Sequence, residues 1–123
     1  MKNRRIKVIG TAILGLILVG LTAPNALTRP LRVILTANVI DQQCAGGNGV
    51  NVTLSATLSP PKSGATYKWD FDNDGVFDTQ PSSDPTVTHV YPDEVRVTAT
   101  VAVMKGNQVK GTDSVDFSTL RCP

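Results

Sequence analysis

From residue 31 onward, apolar and polar side chains alternate with a period of two rather than recurring every third or fourth residue. In VNVTLSATLS, Val50, Val52, Leu54, Ala56 and Leu58 fall on one side of an extended chain, and Asn51, Thr53, Ser55, Thr57 and Ser59 fall on the other. VRVTATVAV repeats the pattern, with Val95, Val97, Ala99, Val101 and Val103 inward against Arg96, Thr98, Thr100 and Ala102 outward. ATYKWDF places Tyr67, Trp69 and Phe71 inward and Thr66, Lys68 and Asp70 outward. VILTANV, PTVTHVY and DSVDFS supply three further strands, the first an edge strand. Turn-forming clusters separate these runs: GGNG at 46–49, SPPKSG at 59–64, QPSSDP at 80–85, YPD at 91–93 and KGN at 105–107. Short strands at this rhythm, with no helical period after the N-terminal segment, predict one antiparallel β-sandwich domain over residues 29–123.

The first 28 residues follow a different rule. Lys2, Arg4, Arg5 and Lys7 precede an apolar run broken only by glycines, Thr11 and, at its end, Thr22, the layout of an export signal. Two fates stay open. Cuts after Ala23 or Ala26 both lack the small-x-small pattern of signal peptidase sites, which favours a retained anchor over residues 6–26. The run from Val8 to Ala23 is 16 residues, short of the roughly 20 that span a bilayer, which favours a cleaved signal. Either way the domain is expected outside the cytoplasm, as a secreted, periplasmic or cell-surface protein.

Charge and cysteine content sharpen this picture. The formal net charge of +2 owes its sign to the leader, because residues 27–123 carry eight basic and ten acidic side chains. No basic cluster interleaved with aromatics occurs there, so nucleic acid is not an expected partner. Cys44 and Cys122 are the only cysteines, and in an exported chain an even pair reads as a disulfide. Two thiolates alone do not make a zinc site, and a nucleophilic cysteine would need a base that is hard to supply here.

TYKWDFDNDG, PTVTHVYPD and VRVTATV, in this order, resemble the polycystic-kidney-disease (PKD) domain, an immunoglobulin-like sandwich with a W-x-F-G-D-G motif followed by V-x-H-x-Y-P and V-x-V-x-V strands. Trp69, Phe71, Asp74 and Gly75 correspond to the first motif, and Val87, His89, Tyr91 and Pro92 to the second. The resemblance spans about residues 31–118. Asp93 and Glu94 lead straight into Val95, giving a shorter turn than the family's. The resemblance implies extracellular work as a spacer or as a protein or carbohydrate contact module, without catalysis.

The stretch WDFDNDGVFD carries the most chemistry. Read as Asp70-x-Asp72-x-Asp74-Gly75-x-x-Asp78, it has the spacing with which oxygen ligands wrap a calcium ion, the carbonyl of Val76 joining them. Four carboxylates in nine residues repel one another unless they are solvated, paired or bound to a cation. Pro81 stands where an EF-hand has its bidentate glutamate, so a further ligand, Asp84 or a carbonyl, would have to be borrowed. The competing reading is a solvated Asx-type turn at a strand end. Acid–base catalysis is rejected, because a rim turn supplies neither a cleft nor a reason for one raised pKa.

The remaining candidates read as structural. His89, the only histidine, lacks a nucleophile or a second histidine and is expected to pack beside Tyr91; Trp69 and Phe71 are expected in the core. Of the six aromatics, Tyr67, Trp69, Phe71 and Tyr91 are expected inward, and Phe77 is the first candidate among the remainder for an exposed sugar platform. Asn51-Val52-Thr53 fits the N-glycosylation pattern. Two functions follow: a module contacting an envelope protein or glycan, which requires an exposed apolar or aromatic face, or a calcium-stabilised, membrane-tethered structural protein with polar faces.

Overall fold

The computed structural model describes residues 33–123; the proposed leader, residues 1–28, lies outside the described residues. Six strands follow one another: β1 (Ile34–Gly46), β2 (Gly49–Ser59), β3 (Ala65–Asp70), β4 (Thr86–Pro92), β5 (Arg96–Lys105) and β6 (Gln108–Ser118). They form two antiparallel sheets, ordered β1-β2-β4 and β3-β5-β6, with no helix among the described residues. The sequence alternation is realised most fully in β2, where Val50, Val52, Leu54, Ala56 and Leu58 are all buried. The first four of these meet Trp69, Phe71, Tyr91, Val97, Ala99 and Val101 in one core between the sheets.

Several strands depart from strict alternation. Ala102, expected outward, is fully buried, because β5 is the central strand of its sheet and so small a side chain is screened by its cross-strand neighbours Lys68 and Thr112. Asp70, also expected outward, is 3% exposed. The loop after β3 folds back over it, and its carboxylate accepts backbone N–H groups from Asp74 at 3.2 Å and Gly75 at 2.8 Å.

β1 is the edge strand of its sheet, as expected, and it runs well beyond VILTANV. A bulge leaves Ile40 without a ladder partner, between the pairs Val39–Leu54 and Asp41–Thr53. Before the bulge Leu35, Ala37 and Val39 point inward; after it the phase has advanced by one, and Cys44, though exposed at this edge, lies on the face of the ladder that Val50 occupies opposite it. That placement lets Cys44 reach Cys122, and the two form a disulfide with Cα atoms 5.7 Å apart, closing a span of 78 residues.

Side chains fasten the edge of β1 to the other sheet. Gln42 donates to the carbonyl of Ser118 at 3.1 Å and accepts the N–H of Leu120 at 3.0 Å, while Asp113 accepts the N–H of Ala37 at 2.8 Å. Edge groups that would otherwise template pairing with another chain are thereby occupied. The turns carry the backbone conformations their residues allow. Gly46, Gly47 and Asn48 all have positive φ in the β1–β2 hairpin, whereas the short Asp93–Glu94 turn forces Glu94 to φ +54°.

Candidate functional site

The acidic loop leaves β3 at Asp70 and is held against that strand by its own backbone. The N–H of Asp78 donates to the carbonyl of Trp69 at 2.7 Å, and Thr79 Oγ1 accepts the N–H of Trp69 at 2.9 Å. Farther along, Tyr67 and Ser82 exchange two backbone hydrogen bonds. The segment from 78 to 82 thus covers the exposed edge of β3, and the loop between is pinched at its base. Gly75, with φ +91°, supplies the sharp reversal, and Asn73 adopts φ +56° beside it. Thr79 lies outside every alternating run, so nothing in the pattern marks its role.

This folding brings Asp70, Asp72 and Asp78 together, with one carboxylate oxygen from each within 4.8 Å of the others. Asp74 stands apart from that group and turns Oδ1 to the N–H of Val76 at 2.8 Å, while Val76 itself is exposed. Asp84 accepts the N–H of Thr86 at 2.9 Å, shaping the approach to β4. Both oxygens of Asp70 and Oδ2 of Asp78 accept backbone N–H groups, from Asp74, Gly75 and Phe71. The Asx-type turn is therefore present, and the carboxylates of that turn also converge.

The electrostatics of the cluster are asymmetric. Burial would push Asp70 up, but the amides of Gly75 and Asp74, with Asp72, outweigh it and hold the carboxyl below its ordinary value. Asp72 moves the other way, pushed up by its surroundings, by its hydrogen bond to Asp70 and by the charges of Asp74 and Asp78. Among the described residues no cation is paired with this cluster. Lys68 spends its ammonium over the ring of Phe77, 4.4 Å from the centroid, and the two ion pairs among the described residues, Arg96–Asp116 and Arg121–Glu94, lie elsewhere. Phe77 is thus half-buried beneath a lysine rather than open to a sugar.

Below the cluster lies an aromatic stack. Phe71 and His89 face each other at 4.0 Å and 14°, His89 meets the edge of Tyr91 at 4.6 Å, and Tyr91 meets Phe117 at 5.6 Å. The Tyr91 hydroxyl donates to the carbonyl of Phe71 at 2.8 Å, tying β4 to the start of the loop. Burial lowers the His89 pKa, opposed by the charges of Asp78 and Asp72, and raises that of Tyr91. Trp69 and Phe71 lie in the core as expected, and His89 is a half-buried member of the stack.

The geometry can be tested against calcium. Oxygens bound to one calcium ion at about 2.3–2.6 Å lie at most about 5 Å apart, and a spread of 4.8 Å meets that limit with the hard, anionic donors calcium prefers. No curated protein and no solved structure matches the chain. The model of the PKD domain matches residues 34–115, about two thirds of the sequence, covering β1 to β5 in full and most of β6. With its two-sheet architecture, its core tryptophan and its histidine–tyrosine strand in place, the chain belongs to the PKD domain family.

Proposed function

We propose that this protein serves outside the cytoplasm as a non-catalytic structural module whose acidic loop is locked by calcium. The observation that carries the structural reading is the state of the two outer sheet faces. On the first, Thr53 pairs with Thr88 and Ser55 with Thr86 through their hydroxyls. On the second, Asp116 binds Arg96 and Thr98, and Thr100 binds Ser114 and Asn73. These polar ladders satisfy themselves, and no aromatic is among the large apolar residues exposed in the described part. A sugar- or protein-reading face would instead offer aromatic anchors.

In the calcium-bound form Asp70, Asp72 and Asp78 would supply the carboxylates, with the Val76 carbonyl and water completing the shell, and Asp74 would join only by giving up its bond to the Val76 N–H. The ion would neutralise the repulsion that no lysine or arginine among the described residues relieves, and the loop would then stiffen the end of β3. We propose no catalytic step here, because His89 is stacked on Phe71 and set against the edge of Tyr91, leaving no base among the described residues beside the carboxylates.

Two substitutions separate the turn from the metal. Asp70→Asn removes the charge that accepts two loop amides and is expected to lower the thermal midpoint with calcium or with chelator. Asp72→Asn relieves repulsion, so the midpoint in chelator is expected to hold or rise while the calcium increment disappears. A site of about 10 µM dissociation constant stabilises by about 2.7 kcal/mol at hundredfold excess, several degrees in a domain of this size. A wild-type midpoint indifferent to millimolar calcium rules out such a site, and saturable glycan binding lost on substituting a sheet-face residue rules out a purely structural role.

A further inference from the structure

At the end of β3 opposite the acidic loop, a half-open cavity of about 520 Å³ lies between the sheets. Its floor is apolar, built by Leu35, Leu58, Val103 and Met104, and three lysines, Lys62, Lys105 and Lys110, stand in its wall. No carboxylate lines it. None of the three lysines has an ion-pair partner among the described residues: Lys105 donates to the carbonyl of Ser63 and Lys110 to the amide oxygen of Gln108, both uncharged. An apolar floor under an uncompensated cationic rim is complementary to an amphipathic anion, and the volume is that of a small-molecule site.

The cavity owes its depth to Gly111. This residue sits inside β6 opposite Val103, next to a register shift in the β5–β6 ladder, and an added Cβ would meet only Val103 Cγ1, at 3.7 Å. Glycine weakens a strand interior, and its presence there marks either an irregularity or a close approach by something else. Here the missing side chain leaves open space facing the lysines. The chain's own preceding segment does not complement this rim: residues 1–32 contain no Asp or Glu, and Arg29 and Arg32 flank the one nearby apolar candidate, Leu31.

We propose that this cavity binds a long-chain carboxylate, its acyl tail over Leu35, Leu58, Val103 and Met104 and its carboxylate among Lys62, Lys105 and Lys110. The proposal goes beyond the structural role and does not depend on the calcium loop. The chain has only two methionines, Met1 and Met104, so methyl-labelled methionine reports directly on the cavity. The full chain, held in nanodiscs of zwitterionic lipid, is titrated with dodecanoate below its micelle concentration while the Met104 methyl signal is followed.

A saturable shift of Met104 is expected, at least tenfold weaker with octanoate, since each buried methylene is worth about a factor of four. Dodecanol is expected to bind about tenfold more weakly than dodecanoate, and replacing all three lysines by glutamine to weaken dodecanoate to a similar degree, exposed ion pairs being worth about two- to fivefold each. Gly111→Leu fills the cavity without a Cβ clash and is expected to abolish the shift. The proposal fails if Met104 does not respond. It fails equally if dodecanol and the lysine-free variant match dodecanoate, if Leu31→Ser alone moves the Met104 signal and so identifies Leu31 as the occupant, or if the signal depends on protein concentration and so identifies a second copy.

Discussion

Single residues in this domain are held in conformations or charge states that their neighbours impose. Glu94 is the clearest backbone case, because the turn between β4 and β5 is too short to avoid φ +54° and glutamate gains nothing from the left-handed region. Its side chain reaches only the exposed Arg121, a contact of little worth. Glu94→Gly is therefore expected to stabilise the domain by about 0.5–1 kcal/mol, read as a raised urea midpoint at unchanged slope. His89 is the titratable case. Burial holds its folded pKa below the ordinary 6.5, against the pull of Asp78 and Asp72. The unfolded chain thus takes up the proton first, so the contribution of the neutral ring is whole above about pH 6.5 and is lost as pH falls through the folded value. Thermal midpoints in chelator should drop between pH 7.5 and 5 in the wild type and drop less in His89→Gln.

At the scale of elements, β1 shows how one extra residue sets a long-range connection. Leu35, Ala37 and Val39 occupy odd positions on the inner side, and an uninterrupted strand would turn the even-numbered Cys44 outward. The bulge at Ile40 corrects the phase. Deleting Ile40 removes the correction, so Cys44 should face solvent and remain reduced, detected as two free thiols by mass spectrometry after alkylation without reductant. An intact disulfide in that variant would show that β1 can slip its register. Other edges are covered from outside: the loop from 78 to 82 covers β3 by backbone pairing, the Gln42 side chain reaches from β1 to the backbone at the end of β6, and Asp113 takes the one edge N–H of Ala37.

For the whole molecule, the disulfide joins the last residues to the end of β1 across a span of 78 residues. In the chain-entropy account such a closure limits the unfolded ensemble by about 4–5 kcal/mol, a large part of the stability of a domain this small. Reduction, or Cys44→Ala with Cys122→Ala, should lower the thermal midpoint by 15 °C or more, at about 4–8 °C per kcal/mol. A midpoint unmoved by reductant, with thiols shown to be free, would mean that Gln42, Asp113 and the core already hold the C-terminal segment in place.

The alternation in β2 and β5, the placing of Trp69 and Phe71, the cysteine pair and the order of motifs were all readable in the sequence, because a period of two and an even cysteine count are local or compositional signals. The acidic spacing was readable too, but it announced neither the burial of Asp70 nor the separation of Asp74 from Asp72 and Asp78. Those depend on where the loop lands, and the anchors that place it, Trp69 carbonyl and Thr79 hydroxyl, carry no mark in the pattern. Ala102 was misplaced for a related reason: a small side chain on a central strand is buried by its neighbours' bulk rather than by its own polarity. Strand phase between irregularities is a property of the chain alone; the bulges are fixed only when neighbouring strands pair, and the edge coverings and the lysine-rimmed cavity only when the two sheets are laid face to face.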